Sequence, residues 1–268
     1  MTGVPRTETR NPKASTIAAM SSREILELMN DEDATVAAAV RAALPAIERA
    51  TDAIAAAFAR GGRLRYVGAG TSGRLGVLDA SEAPPTFGVE PELVQGIIAG
   101  GDAALRTSVE GAEDDPLSGE RDTVRMTRPG DVVVGISAGG SARYVVAAVR
   151  AAGALGATTA GITCVAGSPL VTVAEIPIVV DVGPEVLAGS SRLKAGTATK
   201  LVLNMLSTAV MIRSGRTKGD LMIDLRPTNA KLRARAVRMV QDDLGIDEHA
   251  ATAKLEAAGW SVRRAIDR

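Results

Sequence analysis

Short apolar runs with almost no polar alternation recur at 64–68, 93–99, 131–137, 157–164 and 176–182, and each gives way to small residues. A strand covered on both faces reads as a continuous apolar run, so the pattern predicts an α/β fold, a mainly parallel five-stranded sheet flanked by helices. Ahead of the strands, Ser21 and Glu24 have the spacing of a capping box before Ile25, Leu26, Leu28 and Met29, which predicts a helix start. A helical period then carries Val36, Val40, Leu44, Ile47, Ile54 and Phe58 up to a stop at Gly61-Gly62. Residues 1–60 are therefore expected to be an N-terminal helical arm. A long helix is predicted over 191–213, with an apolar surface wide enough to be buried on several sides. The tail reads as three short helices broken at Gly245 and Gly259, with Trp260 plugging a small satellite core. The expected units are an arm (1–60), a ligand-binding α/β domain (61–224) and a helical tail (225–268).

Composition narrows the chemistry. Lys plus Arg and Asp plus Glu both total 31, so no basic excess exists to neutralise a nucleic-acid backbone, and nucleic acid is not an expected partner. One His and one Cys exclude a disulfide framework and the common zinc sites. Carboxylates, hydroxyls, lysines and backbone amides remain, and no metal or cofactor is expected. Aromatics make up 2% of the chain, so a ligand must be held by hydrogen bonds and charge rather than stacking. The expected ligand is a polar, phosphate-bearing small molecule. The N-terminus lacks the character of a signal peptide and no run of about 18 apolar residues occurs, so a cytoplasmic protein without a membrane partner is expected.

Gly68-Ala69-Gly70-Thr71-Ser72-Gly73 follows a predicted strand and opens a predicted helix. The string fits a dinucleotide turn, but Pro84-Pro85 is expected to end the helix early and the next strand runs into glycines instead of an acidic residue. A phosphate monoester fits better, with backbone N–H groups at the helix start and the hydroxyls of Thr71 and Ser72 as donors, and Gly70 and Gly73 shaping the turn. A second loop, Ser137-Ala138-Gly139-Gly140-Ser141, has the same character. Ser137, Gly140 and Ser141 are its candidate contacts at the usual crevice of an open α/β sheet. Ser190 and Ser191 precede the long helix as possible N-caps and, with Lys194, as possible substrate contacts. Glu82 is expected on the last turn before Pro84-Pro85. The segment 109–115 sets Glu110, Glu113, Asp114 and Asp115 close together, either as a solvated cap or as one of two carboxylates dividing acid and base roles. Cys164 is expected in the core, and His249 is not expected to be catalytic.

Four strings, GAGTSGRLG (68–76), DASEAPPTF (79–87), VEGAEDD (109–115) and KAGTATKLVLNMLS (194–207), closely resemble N-acetylmuramic acid 6-phosphate etherases of the sugar isomerase (SIS) superfamily. The resemblance implies an SIS fold, a homodimer, and cofactor-independent cleavage of the D-lactyl ether of N-acetylmuramic acid 6-phosphate to N-acetylglucosamine 6-phosphate and D-lactate. It places the family's proton donor on Glu82 and its second catalytic glutamate, the base at C2, on Glu113. The second loop, Ala138 to Tyr144, departs from the family pattern by a Ser and a Thr hydroxyl, so a weaker phosphate cradle is expected. Two other readings stay open: a non-catalytic sugar-phosphate sensor of the glucokinase regulatory protein type, and an aldose-ketose isomerase.

Overall fold

The computed structural model describes residues 5–267; the first four residues of the expected arm and the last residue of the tail lie outside them. Three 3-10 turns (Arg6–Glu8, Pro12–Ala14 and Ile17–Ala19) lead into three α-helices: α1 (Ser22–Asp33), α2 (Val36–Ala42) and α3 (Leu44–Ala59). The central body continues as β1 (Leu64–Gly68), α4 (Gly70–Phe87), β2 (Val94–Ile98), α5 (Pro116–Met126), β3 (Val132–Ile136) and α6 (Arg143–Ala154). It is completed by β4 (Thr158–Thr163), α7 (Pro169–Val173), β5 (Ile176–Val179) and α8 (Lys194–Arg213), and the tail is α9 (Ala230–Leu244), α10 (Glu248–Ala257) and α11 (Val262–Ile266).

All five expected strands are present, every pairing is parallel, and the order is β2-β1-β3-β4-β5. Successive side chains feed two separate cores. Leu64, Tyr66, Val132, Val134 and Ile136 pack with α2, α3, α4 and α8, whereas Val67 and Val133 pack with α6 and α7. Both faces are apolar, which is why the strands lack alternation. Arg65 is the charged exception: it is fully buried and donates to the carbonyls of Leu64, Glu92 and Met126.

The helices before the sheet differ from the expected arm in one respect. Val36, Val40, Ile47, Ala50 and Ile54 belong to the same core as the sheet, so this segment is packed into the central body. The predicted 33–60 stretch divides at Ala43, where Pro45 in the first turn of α3 cannot continue the preceding helix. The capping box forms as expected at Ser21 and Glu24. The tail has a core of its own around Ala236, Val240, Leu255 and Val262, broken at Gly245 and Gly259, with Trp260 packed against it. Cys164 is buried, and burial pushes its thiol up to about 12.

Helix α4 corrects a second expectation. It runs through Pro84 and Pro85 to Phe87, because prolines near a helix end remove only the donors for two carbonyls while keeping helical φ. The stop is Gly88 at φ +64, where a Cβ would lie 2.1 Å from the Asp224 carbonyl oxygen. Asp79 of α4 is buried and ties three elements together, accepting from the Tyr66 hydroxyl (2.9 Å), Asn204 (2.8 Å) and Ser207 (3.1 Å). Burial pushes its carboxyl above the ordinary range, and the three donors oppose that rise.

Helix α8 is long and apolar enough to cross a membrane by composition alone, but here Val202, Leu203, Leu206 and Val210 are buried in the main core. Its N-terminus corrects the expected serine caps. The first residue before the helix is Leu193, with no side-chain cap. Instead the fully buried Glu185 accepts from the N–H groups of Lys194 and Ala195, both at 3.0 Å. A carboxylate there completes the donors that the first turn leaves unpaired and complements the helix dipole.

Lys194 is likewise committed to the fold: its Nζ donates to Glu32 of α1 at 2.6 Å, and both side chains are buried. Glu32 also accepts from Lys13 (2.9 Å) and Asn11 (3.0 Å). Burial of Glu32 favours its protonated form, but the hydrogen bonds and charges of Lys194 and Lys13 outweigh it and hold the carboxyl at about 2. Removing one partner of a buried pair typically costs about 3–5 kcal/mol, so Lys194→Met should lower unfolding stability in urea by about that amount. Because the folded pKa of Glu32 lies below its ordinary 4.5, its contribution is present above that pH and lost as pH falls towards 2. A Lys194→Met protein of unaltered stability would contradict this assignment.

Candidate functional site

The site begins with a close approach. A Cβ on Gly68 would lie 2.6 Å from the Gly73 nitrogen, and one on Gly73 would lie 2.6 Å from Ile98 Cγ1. Lacking both, β1 passes directly into α4 through Ala69 and Gly70 (φ +53), and the first turn of the helix sits on the carboxyl edge of the sheet. No side chain caps that turn. Across from it, β3 ends at Ile136 and the loop 137–142 leads into α6, whose N-cap Ala142 also provides no side-chain acceptor. Two helix N-termini therefore present uncapped N–H groups to one crevice, whereas that of α8 is filled by Glu185.

The crevice is a cleft of about 390 Å³. Gly70, Thr71 and Ser72 line it from the α4 turn, Ser137, Gly139 and Ser141 from the second loop, and Gly189 and Ser191 from the segment before α8. Gly140 shapes the loop from behind: at φ +68, a Cβ on it would lie 2.1 Å from Ser168 Oγ. Gly73 has the same supporting role under the first loop. Ser190 does not line the cleft, and Lys194 is withdrawn from it by Glu32.

The four carboxylates of the acidic segment separate. Asp115 caps α5, accepting from Leu117 and Ser118 N–H, both at 3.1 Å. Glu113, on a 3-10 turn (Ala112–Asp114) that follows Gly111 in the left-handed region, lines the cleft with Asp114. Glu110 faces an adjoining chamber that shares Ala69, Gly70 and Glu113 with the cleft. Glu82 is different. It lies on the exposed face of α4, twelve residues from Gly70 and so about 18 Å along the helix axis. Within one chain it does not line the cleft that holds Glu113.

The sequence pattern gave no sign of Glu8. The N-terminal segment crosses the cleft mouth, held by the Arg6–Asp181 ion pair and by the Gly189 N–H donating to the Thr7 carbonyl at 3.1 Å. Glu8 thereby lines the cleft against Gly189, where a Cβ would lie 2.9 Å from its Oε2. No local signal could have found it, because the contact depends on a segment about 180 residues away in sequence. Glu8, Glu113 and Asp114 give the cleft an acidic side, and no Lys or Arg among the described residues lines it. The other side offers amides and hydroxyls, the donors that an anion would need in the absence of a cation.

Two family models match: the glucokinase regulatory protein N-terminal SIS domain over residues 46–152 and the SIS domain over residues 114–209. Among curated proteins, an N-acetylmuramic acid 6-phosphate etherase of Gloeobacter violaceus is 56% identical over 261 residues, spanning 97% of this chain and 85% of that protein. One from Aeromonas hydrophila is 51% identical, spanning 97% and 88%. Among solved structures, a phosphoheptose isomerase from Francisella tularensis aligns with a TM-score of 0.55 at 18% identity, over 72% of this chain and 100% of that one. A putative phosphosugar isomerase from Bacteroides fragilis aligns with a TM-score of 0.56 at 18% identity, over 75% and 95%. At that identity the likeness is one of fold.

Ser72→Ala should weaken sugar-phosphate binding about tenfold or more, the usual worth of a hydrogen bond to a charged group, while slowing turnover less. An unchanged Kd by calorimetry would remove the first loop from the anion site. Gly139 has room for a side chain: the nearest atom to a Cβ placed on it would be Ser141 Oγ, at 3.7 Å. Gly139→Ser with Ala142→Thr should therefore tighten the same binding.

Proposed function

We propose, from the premise that this chain belongs to the N-acetylmuramic acid 6-phosphate etherase family, that the cleft performs the family's reaction with Glu113 as the base at C2. The protein is a carbon-oxygen lyase of cell-wall amino-sugar recycling: it cleaves the D-lactyl ether of N-acetylmuramic acid 6-phosphate, giving N-acetylglucosamine 6-phosphate and D-lactate. The observation that carries the site assignment is Glu113 beside two uncapped helix N-termini in one cleft. The phosphate rests on the α4 turn and the second loop, through Thr71, Ser72, Ser137 and Ser141. Ring opening exposes an aldehyde that acidifies the C2 proton, and Glu113 removes it. The lactyl oxygen departs from C3 as it gains a proton, and water adds to the resulting unsaturated aldehyde. The sensor reading is not favoured, since relatives 48–56% identical across 97% of the chain carry the etherase name.

Glu82 is the proposed acid for the departing oxygen, supplied to the cleft of a second copy in a homodimer. Three features support this. Glu82 is exposed on the same α4 face as Leu78, four residues earlier, which is 53% exposed. A groove of about 820 Å³ between α3 and α8 is lined by Leu44, Ile47, Leu201, Met205 and Ile212. Asn204, also in that groove, bonds Asp79 one turn before Glu82. An apolar face with a reactive carboxylate at its margin fits a self-complementary, two-fold contact. A cytoplasmic location is part of the same proposal, since a sugar phosphate does not cross a bilayer unaided.

Loss of a positioned acid or base typically costs about 10²- to 10⁴-fold. Glu82→Gln should still exchange the C2 proton with heavy water while releasing little lactate, and Glu113→Gln should fail at both. Mixing the two variants should restore about a quarter of wild-type lactate release, because half of the dimers are then mixed and each has one intact site. No recovery on mixing would contradict a shared site, and wild-type activity in either variant would remove that glutamate from the reaction.

A further inference from the structure

The reaction requires the site to hold a substrate with two anions, a phosphate at one end and the lactyl carboxylate on the C3 ether, and the cleft accounts for only the first. The chamber adjoining it is about 230 Å³ and meets it at Ala69, Gly70 and Glu113. Its lining includes the small apolar side chains of Ala99, Ala104 and Val109, the carboxylate of Glu110, and Arg74. Arg74 is the one cation lining either space among the described residues. It lies one turn into α4, immediately after the loop that faces the cleft. The side chain is half-buried, and its Nε donates to the Leu105 carbonyl at 3.2 Å. That bond engages Nε and leaves the two terminal nitrogens without a hydrogen-bond or ion-pair partner among the described residues, Glu110 included.

We propose that Arg74 is the specificity residue for the leaving group, its terminal nitrogens binding the lactyl carboxylate in a paired contact while the phosphate rests in the neighbouring cleft. A guanidinium fork matches a carboxylate in two parallel hydrogen bonds. The arrangement sets the C3 ether at the junction of the two spaces, where Glu113 stands, and turns the lactyl methyl toward Ala99, Ala104 and Val109. It also explains how a carboxylate-bearing arm is accepted beside Glu110 and Glu113, whose charges would otherwise repel it. The inference rests on the etherase reading above. Arg74 touches the substrate away from the reacting atoms, so its effect belongs to binding and orientation.

The test separates the lactyl arm from the rest of the substrate. Arg74→Met, and Arg74→Lys as a milder change that keeps the charge and loses the fork, should raise KM for N-acetylmuramic acid 6-phosphate. For Arg74→Met the expected rise is about 10- to 100-fold, the worth of charge-assisted hydrogen bonds to one carboxylate. Calorimetric affinity for N-acetylglucosamine 6-phosphate, which lacks the arm, should stay at the wild-type value in both variants, which also reports that they are folded. A substrate whose lactyl carboxylate is replaced by a carboxamide should lose affinity in the wild-type protein and lose little further in Arg74→Met. If the carboxamide penalty is equal in wild type and Arg74→Met, or if both variants lose as much affinity for N-acetylglucosamine 6-phosphate as they lose for substrate, the assignment of Arg74 is overturned while the etherase reading stands. A wild-type protein that releases no D-lactate would overturn both.

Discussion

The contact between Gly68 and Gly73 is the constraint on which the cleft depends. Any side chain at either position would push α4 away from the end of β1 by the space of a methyl group, since the backbone already fills it. With both absent, the amide end of α4 is held at the carboxyl edge of the sheet and opens into the cleft instead of into bulk water. The second loop repeats the device with Gly140, which is pinned against Ser168 and holds Ser137 and Ser141 at the rim. The proposed anion site is thus made almost wholly from backbone, which suits a cleft lined by no cation among the described residues.

A second set of contacts decides which helix end is kept out of the chemistry. Helix α8 begins near the cleft, and an open N-terminus there would add a third set of free amides beside it. Glu185 fills it, and Glu32 draws the side chain of Lys194 into the core. Glu32 in turn receives Asn11 and Lys13, which anchors the N-terminal segment whose next turn upstream brings Glu8 to the cleft mouth. Fold and candidate site share these residues, so the buried ion pair stabilises the structure and anchors the segment that borders the cleft.

What was legible in the sequence follows from the range of the interactions. The five strands could be read because a parallel sheet buried on both faces demands apolar residues at every position, and the loops could be read because glycine and hydroxyl residues signal backbone geometry locally. The roles of Lys194 and Glu8 could not be read, since each depends on a partner far along the chain, as in the Lys194–Glu32 pair separated by 162 residues. Glu185 was hidden because it reaches the start of α8 across an irregular loop, nine residues before Lys194, and not from a capping position. Arg65 escaped notice for a related reason: a buried charge inside an apolar strand is satisfied by carbonyls from distant turns. Pro84-Pro85 misled because local chemistry there permits two outcomes, a break or a helix that tolerates two missing donors close to its end. The resemblance identified Glu82 and Glu113 as a pair, but only the fold separates them, one in the cleft and one on an exposed helix face.

Glu113 has its proposed role only if the ether is broken by elimination across C2 and C3, with water returning to the sugar. The direct measurement is to run the reaction in ¹⁸O-water and locate the label by mass spectrometry. Elimination followed by addition places the solvent oxygen on C3 of N-acetylglucosamine 6-phosphate and leaves the lactate unlabelled, because lactate departs with the ether oxygen. Label in the lactate hydroxyl, with none on the sugar at C3, would mean cleavage on the lactyl side and would contradict the role assigned to Glu113.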